Sequence, residues 1–436
     1  MILAYFAHKM RRKGKDRPLW VRLKNSMSEL LSPAGNFQKL KSALLYGADA
    51  VYCAGKCFGM RSAADNFETE ELYEAVKYTH ALGKKIYLTL NTLPSWHEYE
   101  ALEGFLNDIK DSGLDAFIVA DPGVLTLVKK VMPRAELHIS TQAGAHSHAD
   151  CNFWQSLGAT RVVLARELSL DDIGEIKKRI SPELELETFI HGSMCVSFSG
   201  RCLLSENLVG RDANKGACAQ PCRWSYNLFE IAEEKRPGMR FPVTETDRGT
   251  FIMSSKDMCM IEHIPELLNA GIASFKIEGR MKSAYYAAVT ANAYRMAIDA
   301  YLKDPEGYVY NPAWKRELES VSHREYCTGY FFDRPKEDGM LTDNPGYIRE
   351  KAYLAVATGY DKESGRAFFI QRNKAVTGEN AELLSPGKCG VPLVLSEMQN
   401  EEGLPIDSAP HPFMPFSVKV PFPVKAGDIL RGGEKP

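Results

Sequence analysis

The chain has 436 residues, 44% of them hydrophobic and 25% charged, with a formal net charge of −2 and a mean hydropathy of −0.27. That length outgrows one ordinary core but suits one large α/β domain with a smaller companion. No stretch approaches the ~18 to 20 uninterrupted apolar residues of a helical bilayer crossing, so a membrane span is excluded. The N-terminus lacks the apolar core and small-residue cleavage site of a secretory signal. The expected compartment is therefore the cytoplasm, where clustered cysteines bind metal or do redox chemistry more often than they form disulfides.

Charge is uneven along the chain. Residues 1–26 hold eight Lys/Arg and one Asp, which leaves the other 410 residues at −9. A basic arm of this kind can track phosphates. Yet "MSELLSPAG", beginning at Met27, reads as a natural start, and residues 1–26 are expected to be a disordered or non-native leader.

From residue 27 to about 310, short apolar runs alternate with amphipathic stretches in units of about 25 to 35 residues, the length of one βα unit. The expected strands are "ELLSPAG", "AVYCAG", "KIYLTLN", "AFIVAD", "ELHISTQ", "RVVLARE", "LETFIHG" and "SFKIEGR". Helical patterns such as "NFQKLKSALLYG", "TEELYEAVKYTHALG", "EYEALEGFLNDIKDSG", "LDDIGEIKKRI", "IEHIPELLNAG" and "SAYYAAVTANAYRMAIDAYL" fall between and after them. Eight such strands predict an α/β protein, a (β/α)8 TIM-like barrel. A doubly wound dinucleotide fold is disfavoured, because neither G-x-G-x-x-G nor G-x-x-x-x-G-K-[ST] occurs. An insertion of about 195–255 follows strand seven and is expected to include a hairpin built from "WSYNLFEIAEE" and "RGTFIMSS". Residues 311–345 read as a connector. Residues 346–436, with "AYLAVATGY", "RAFFIQR", "NAELLSP", "FSVKVPF" and "VKAGDILR", predict a small C-terminal antiparallel β-barrel. The acidic and basic residues of that module balance, so it carries no electrostatic signature of nucleic-acid binding.

The insertion carries Cys195, Cys202, Cys218 and Cys222, spaced C-x6-C-x15-C-x3-C. This is not the paired-knuckle spacing of a structural zinc site. Iron–sulfur clusters accept irregular spacing, and Gly200, Gly216 and Pro221 would let a loop wrap around one and donate amides to sulfur. The order of expectation is cluster, then zinc, then unrelated thiols. Cys53 and Cys57, after strand two, are an alternative source of a ligand, although packing is the ordinary role of such a thiol.

Polar residues gather at the strand ends: His138, Ser140 and Gln142; Arg166 and Glu167; Glu187 and His191; Lys276, Glu278 and Arg280. Strand alternation puts Lys276, Glu278 and Arg280 on one side. Arg166, Lys276 and Arg280 facing one cavity would suit a small dianion, whereas rim salt bridges are the competing explanation. Lys256 and Asp257 in "SSKDM" raise the same question. Neither H-E-x-x-H nor G-x-S-x-G is present, and Ser193, Ser197 and Ser199 belong to no hydrolase motif.

"ETFIHGSMCVSFSGRCLLS" and "GACAQPCRW", with "LLSPAG", "AVYCAGKCFGMR", "ISTQ", "SSKDMCMIEHIPELLNAG" and "SFKIEGRMKS", closely resemble the blocks of the collagenase-like peptidase family of unassigned catalytic type, number thirty-two of the U series. The resemblance runs from about residue 29 to the C-terminus. It implies oxygen-independent hydroxylation more than proteolysis: members act on the ubiquinone ring or on ribosomal or transfer RNA with a 4Fe-4S cluster. Its ligands here would be Cys195, Cys202, Cys218 and Cys222. "GLPIDSAPHPFMPFSVKVPFPVKAGDILR" looks most like the branch that makes 5-hydroxyuridine in tRNA with prephenate, a dicarboxylate, as hydroxyl donor. The partners so implied are tRNA and prephenate, with any protein supplying clusters or electrons unspecified. A peptidase and a non-catalytic RNA-binding iron–sulfur protein are the alternatives.

Overall fold

The computed structural model of the chain describes residues 28–60, 65–195, 197–224, 255–333 and 347–432, together with short strand segments between 231 and 251. The expected leader, residues 1–26, lies outside the described residues.

Eight short strands close a parallel barrel. They are β1 (Glu29–Pro33), β2 (Ala50–Cys53), β3 (Lys85–Leu90), β4 (Ala116–Val119), β5 (Glu136–Ile139), β6 (Arg161–Val163), β7 (Glu185–Ser193) and, after an antiparallel strand β8 (Asp257–Cys259), β9 (Ser274–Ile277). Each pairs parallel with the next, and β9 pairs with both β7 and β1, so no barrel edge is left open. All eight expected strands are these eight. They read as apolar runs because both faces are buried: Leu30, Val51, Leu88, Val119, Ile139 and Phe275 pack outward under the helices. Leu31, Ala50, Tyr52, Tyr87, Ala116 and Ile118 fill the lumen.

Helices start where the sequence supplies caps. Asn36 accepts from the Lys39 amide ahead of α1 (Phe37–Leu45). Asp121 accepts from Val124, with Pro122 at the first position of a helix spanning Pro122–Val131. Ser169 and Ser283 cap Leu170–Lys177 and Ala284–Lys303 in the same way. The last of these is apolar nearly all round, and most of its residues are buried.

Two corrections concern the segments around the barrel. The segments expected to form one hairpin pair locally: Ile231–Ala232 with Arg240–Phe241, and Thr244–Thr246 with Gly249–Phe251. The stretch after 311, expected as a connector, carries a helix, Ala313–Glu319, and a strand, Tyr326–Cys327, which pairs with β8. Trp314 and Leu318 seal both onto the outer core.

Residues 353–432 form a seven-stranded antiparallel sheet in the order Val391–Val394, Asn380–Leu384, Ile429–Gly432, Tyr353–Asp361, Arg366–Gln371, Pro415–Lys419, Ser396–Gln399. Its two edge strands are successive in the chain, so the sheet curls as a half-barrel around Phe369, Leu383, Leu395, Met398 and Phe416. It is bolted to the larger barrel. Asn292 donates to the Lys388 carbonyl at 2.8 Å and accepts from Gly387 at 2.7 Å, while Tyr46 donates to the Leu384 carbonyl at 2.9 Å. The buried Arg431 bonds Glu317 at 2.8 Å and Glu382 at 2.7 Å.

Candidate active site at the mouth of the barrel

One pocket opens at the C-terminal ends of the strands, the face that positions catalytic groups in this architecture. Tyr52, Thr89, Asn91, Ser140, Gln142, Arg166, Phe189, Cys195, Ser199, Lys276, Glu278 and Arg280 are among its lining. Strand alternation explains the set: Tyr52, Thr89, Phe189 and Lys276 share the inward phase of their strands. Three cations and one carboxylate therefore face one cavity. Arg280 donates to Thr89 Oγ1 at 3.0 Å. Arg166 lies 3.9 Å above the Phe189 ring, donates to the Ser193 carbonyl at 2.8 Å and meets Glu278 at 3.4 Å. The Asn91 amide donates to Ser140 Oγ at 3.2 Å.

Below the pocket lies a buried charge network. Lys276 Nζ bonds Glu187 at 2.8 Å, and Arg161 reaches Glu187 at 3.2 Å, Glu29 at 2.6 Å and Glu185 at 2.7 Å. Tyr87 donates to Glu29 at 2.5 Å. Burial would raise the Glu187 carboxyl, but Lys276 and Arg161 outweigh it and hold the group below the usual carboxylate range.

The cysteine loop is pinned over this mouth at three strand ends. Ser199, a non-glycine residue at φ 42°, gives its amide and hydroxyl to Glu167 at 2.6 and 2.7 Å. Arg201 donates to the carbonyls of Gln142 at 3.0 Å and Ala143 at 2.6 Å. Lys215 reaches Ser95 at 2.6 Å and Glu98 at 3.2 Å beyond β3. Backbone amides of Leu204 and Gln220 donate to the sulfurs of Cys202 and Cys218, both at 3.3 Å. Among the described residues no three Cys, His, Asp or Glu side chains are gathered as a metal site. None of the ten cysteines is in a disulfide.

Of the residues singled out from the sequence, the pocket brings together Ser140, Gln142, Arg166, Lys276, Glu278, Arg280 and Cys195. Glu187 lies beneath it. His138 does not line it: fully buried in the lumen, it sits edge-on to Tyr87 at 4.8 Å and bonds Glu136 at 3.3 Å, with burial pushing its imidazole pKa down. His191 is also outside. A register shift between β7 and β9 pairs Lys276 with Phe189 but Ile277 with His191, which breaks the alternation and turns His191 toward the helices. There it packs against Tyr286, Tyr294 and Tyr326, and burial pushes its pKa down to about 3. Cys53 belongs to the outer core, its thiol raised to about 12 by burial, and so is a packing residue. Asp257 pairs with Arg324 at 2.7 Å and Lys256 with Glu325 at 3.2 Å, ties between β8 and the chain before Tyr326. Tyr52, Thr89, Asn91 and Phe189 line the pocket without having been singled out in the sequence, and Ser199 lines it without a hydrolase motif. Asn91 ends "KIYLTLN", and a polar residue at a strand's C-terminal end was the available signal.

The profile of Peptidase family U32 matches residues 35–341, and that of the Peptidase family U32 C-terminal domain matches residues 349–431. The chain belongs to peptidase family U32. Among its relatives, tRNA hydroxylation protein P1 of Bacillus subtilis (strain 168) is 36% identical over 406 residues, covering 93% of this chain and 95% of that protein. The tRNA hydroxylation protein P of Escherichia coli (strain K12) is 36% identical over 423 residues, covering 88% and 91%. A 23S rRNA 5-hydroxycytidine synthase of Escherichia coli (strain K12) is 35% identical over 331 residues, covering 73% of this chain and 47% of that one. The family profile thus spans seven of the eight barrel strands, from β2 onward, and the whole cysteine loop.

Proposed function

We propose that this protein is an RNA-modifying hydroxylase that converts uridine of tRNA to 5-hydroxyuridine, with prephenate as hydroxyl donor and a 4Fe-4S cluster on Cys195, Cys202, Cys218 and Cys222. The observation that carries the reading is a single pocket wall in which Arg166, Lys276 and Arg280 stand with Cys195, the first thiol of the loop. The names of the relatives, tRNA hydroxylation proteins and an rRNA hydroxycytidine synthase, agree with it. A peptidase reading finds less support: among the described residues no histidine lines the pocket, and the Ser199 hydroxyl is bonded to Glu167.

The donor set suits an iron–sulfur cluster, because amide donation to Cys202 and Cys218 is the hydrogen bonding that stabilises thiolate ligands. The sulfurs are not gathered around one point, so their side chains would have to turn inward when the group is held. Such a cluster would supply one-electron chemistry. The chain's own residues do the binding. Arg280, oriented by Thr89, and Arg166, stacked on Phe189, present planar donors to carboxylates. Lys276 adds a point charge from the floor, and Asn91 and Ser140 offer neutral polar groups at the same wall.

Nucleoside mass spectrometry of tRNA from a deletion strain tests the reading. Loss of 5-hydroxyuridine should be restored by the wild-type gene and not by Cys202→Ala or Arg280→Ala. Anaerobically purified Arg280→Ala should keep its iron, whereas Cys202→Ala should lose it. Unchanged tRNA nucleosides in the deletion strain would overturn the assignment, and stoichiometric zinc without iron would overturn the cluster.

A further inference from the structure

Five residues after the pocket residue Asn91, the chain presents Trp96 with 88% of its surface in water. An exposed indole runs against the drive to bury aromatic surface. Trp96 is nonetheless not on a loose loop. It opens a short 3-10 turn, Trp96–Glu98, capped reciprocally by Ser95 and Glu98, with the Ser95 amide donating to the Glu98 carboxylate at 2.6 Å. Lys215 of the cysteine loop grips both capping residues, and the Leu93 amide donates to the Asn214 carbonyl at 3.3 Å. His97 sits edge-on to the indole at 5.6 Å. The turn is thus fixed to the element that covers the pocket, and the indole is held in the open.

The surroundings indicate what it meets. Arg201 and Arg211, both exposed on the cysteine loop, are held by carbonyl oxygens: Arg201 by Gln142 and Ala143, Arg211 by Ala217 at 2.9 Å. These contacts orient the guanidiniums without neutralising them as a carboxylate would. An exposed aromatic on a turn tied through Lys215 to a loop that also carries exposed arginines is a pattern that takes a single strand of nucleic acid, bases stacking on the ring and phosphates on the charges. Five residues of chain span at most about 17 Å, a distance that a few nucleotides of a strand cover. We propose that Trp96 is a stacking platform for an unpaired base of the RNA substrate, a base flanking the one presented to the pocket. The inference rests on the RNA reading of the site.

The test is binding of an unmodified tRNA transcript to the full-length protein at several salt concentrations. Trp96→Ala should weaken binding about ten-fold or more, in the range set by loss of one base–aromatic stack, and Trp96→Phe should recover most of it. The salt dependence should stay unchanged for Trp96→Ala and become shallower for Arg201→Ala, because only the latter removes a phosphate contact. Since the indole is exposed, the melting temperature should not move. Wild-type affinity in Trp96→Ala overturns the inference while leaving the RNA reading intact. Failure of the wild type to bind any tRNA transcript overturns both.

Discussion

Replacing Lys276 by Met removes a cation from the floor of the pocket while keeping most of its volume. Lys276 and Glu187 are 2.8 Å apart with side chains 4% and 0% exposed, so the carboxylate cannot recover its lost partner from water. Breaking a buried pair from one side costs about 3 to 5 kcal/mol. The lower end applies here, because Arg161 still reaches Glu187 at 3.2 Å, although it is shared with Glu29 and Glu185. About 3 kcal/mol corresponds to a fall of roughly 5 °C in melting temperature for a domain of about 300 residues, taking about 2.1 cal/mol/K of unfolding entropy per residue. The deficit should also depend on pH. In the wild type the Glu187 carboxyl lies below its unfolded value, so its contribution is complete above about 4.3 and is lost as pH falls through the folded value. Without Lys276, burial dominates and lifts the carboxyl above its unfolded value. The charged form is then penalised, and the deficit grows as pH rises. Thermal melts of both proteins at pH 5 and pH 8 should therefore show the larger difference at pH 8, and adding Glu187→Gln should recover part of it. Equal stability of Lys276→Met and wild type at pH 8, or a deficit independent of pH, would refute the account.

His191, its pKa pushed down to about 3 by burial, must stay neutral in the fold, whereas the unfolded imidazole ionises near 6.5. Its contribution is complete above about 6.5 and is lost toward 3, so His191→Gln should flatten the stability profile between pH 6 and 4 by about 1.4 kcal/mol per pH unit; an unchanged slope in urea titrations would show that His191 is not protonated on unfolding. Arg431→Met takes the cation from Glu317 at the junction of barrel and half-barrel and leaves Glu382 with Lys351 alone, at a cost of about 3 kcal/mol, the lower end for a buried pair broken from one side. Limited proteolysis should then cut between residues 347 and 432 faster than in the wild type, and equal rates would show that the other ties across the junction suffice.

The barrel was legible in the sequence because two-sided burial writes each parallel strand as an apolar run, and because the spacing of those runs left room for one helix each. What pairs with what outside that repeat was not legible. The strand β8 lies in "SSKDMCM", whose charged residues mask a three-residue strand, and its antiparallel partner in β7 is more than sixty residues away. The pocket cations were legible because Lys276 keeps the inward phase of β9 and the strand ends carry Arg166 and Arg280. His191 was misplaced by the same rule. One register shift separates it from Phe189, and alternation cannot announce its own interruption. Ser199 was weighed only as a nucleophile, since neither a positive φ nor an amide bond to Glu167 leaves a pattern in sequence.

The positions of the pocket cations and of the cysteines are not independent. β7 ends by turning through Gly192, at φ 101°, where a Cβ would come within 2.5 Å of the Glu278 carbonyl. Only glycine permits that approach, and through it the segment carrying Cys195 lies directly against the strand end that carries Glu278 and Arg280. Arg166 closes the same circuit from the other side, with one donor on the Ser193 carbonyl and another toward Glu278. An anion that draws Arg166 away from Glu278 therefore pulls on a guanidinium already bonded two residues before Cys195. The buried network below contributes rigidity to this arrangement rather than net stability, because ion pairs taken out of water seldom outdo apolar packing of the same volume. Lys276 is fixed by Glu187, and Glu187 by Arg161, so the charge on the pocket floor is held in place by the fold itself.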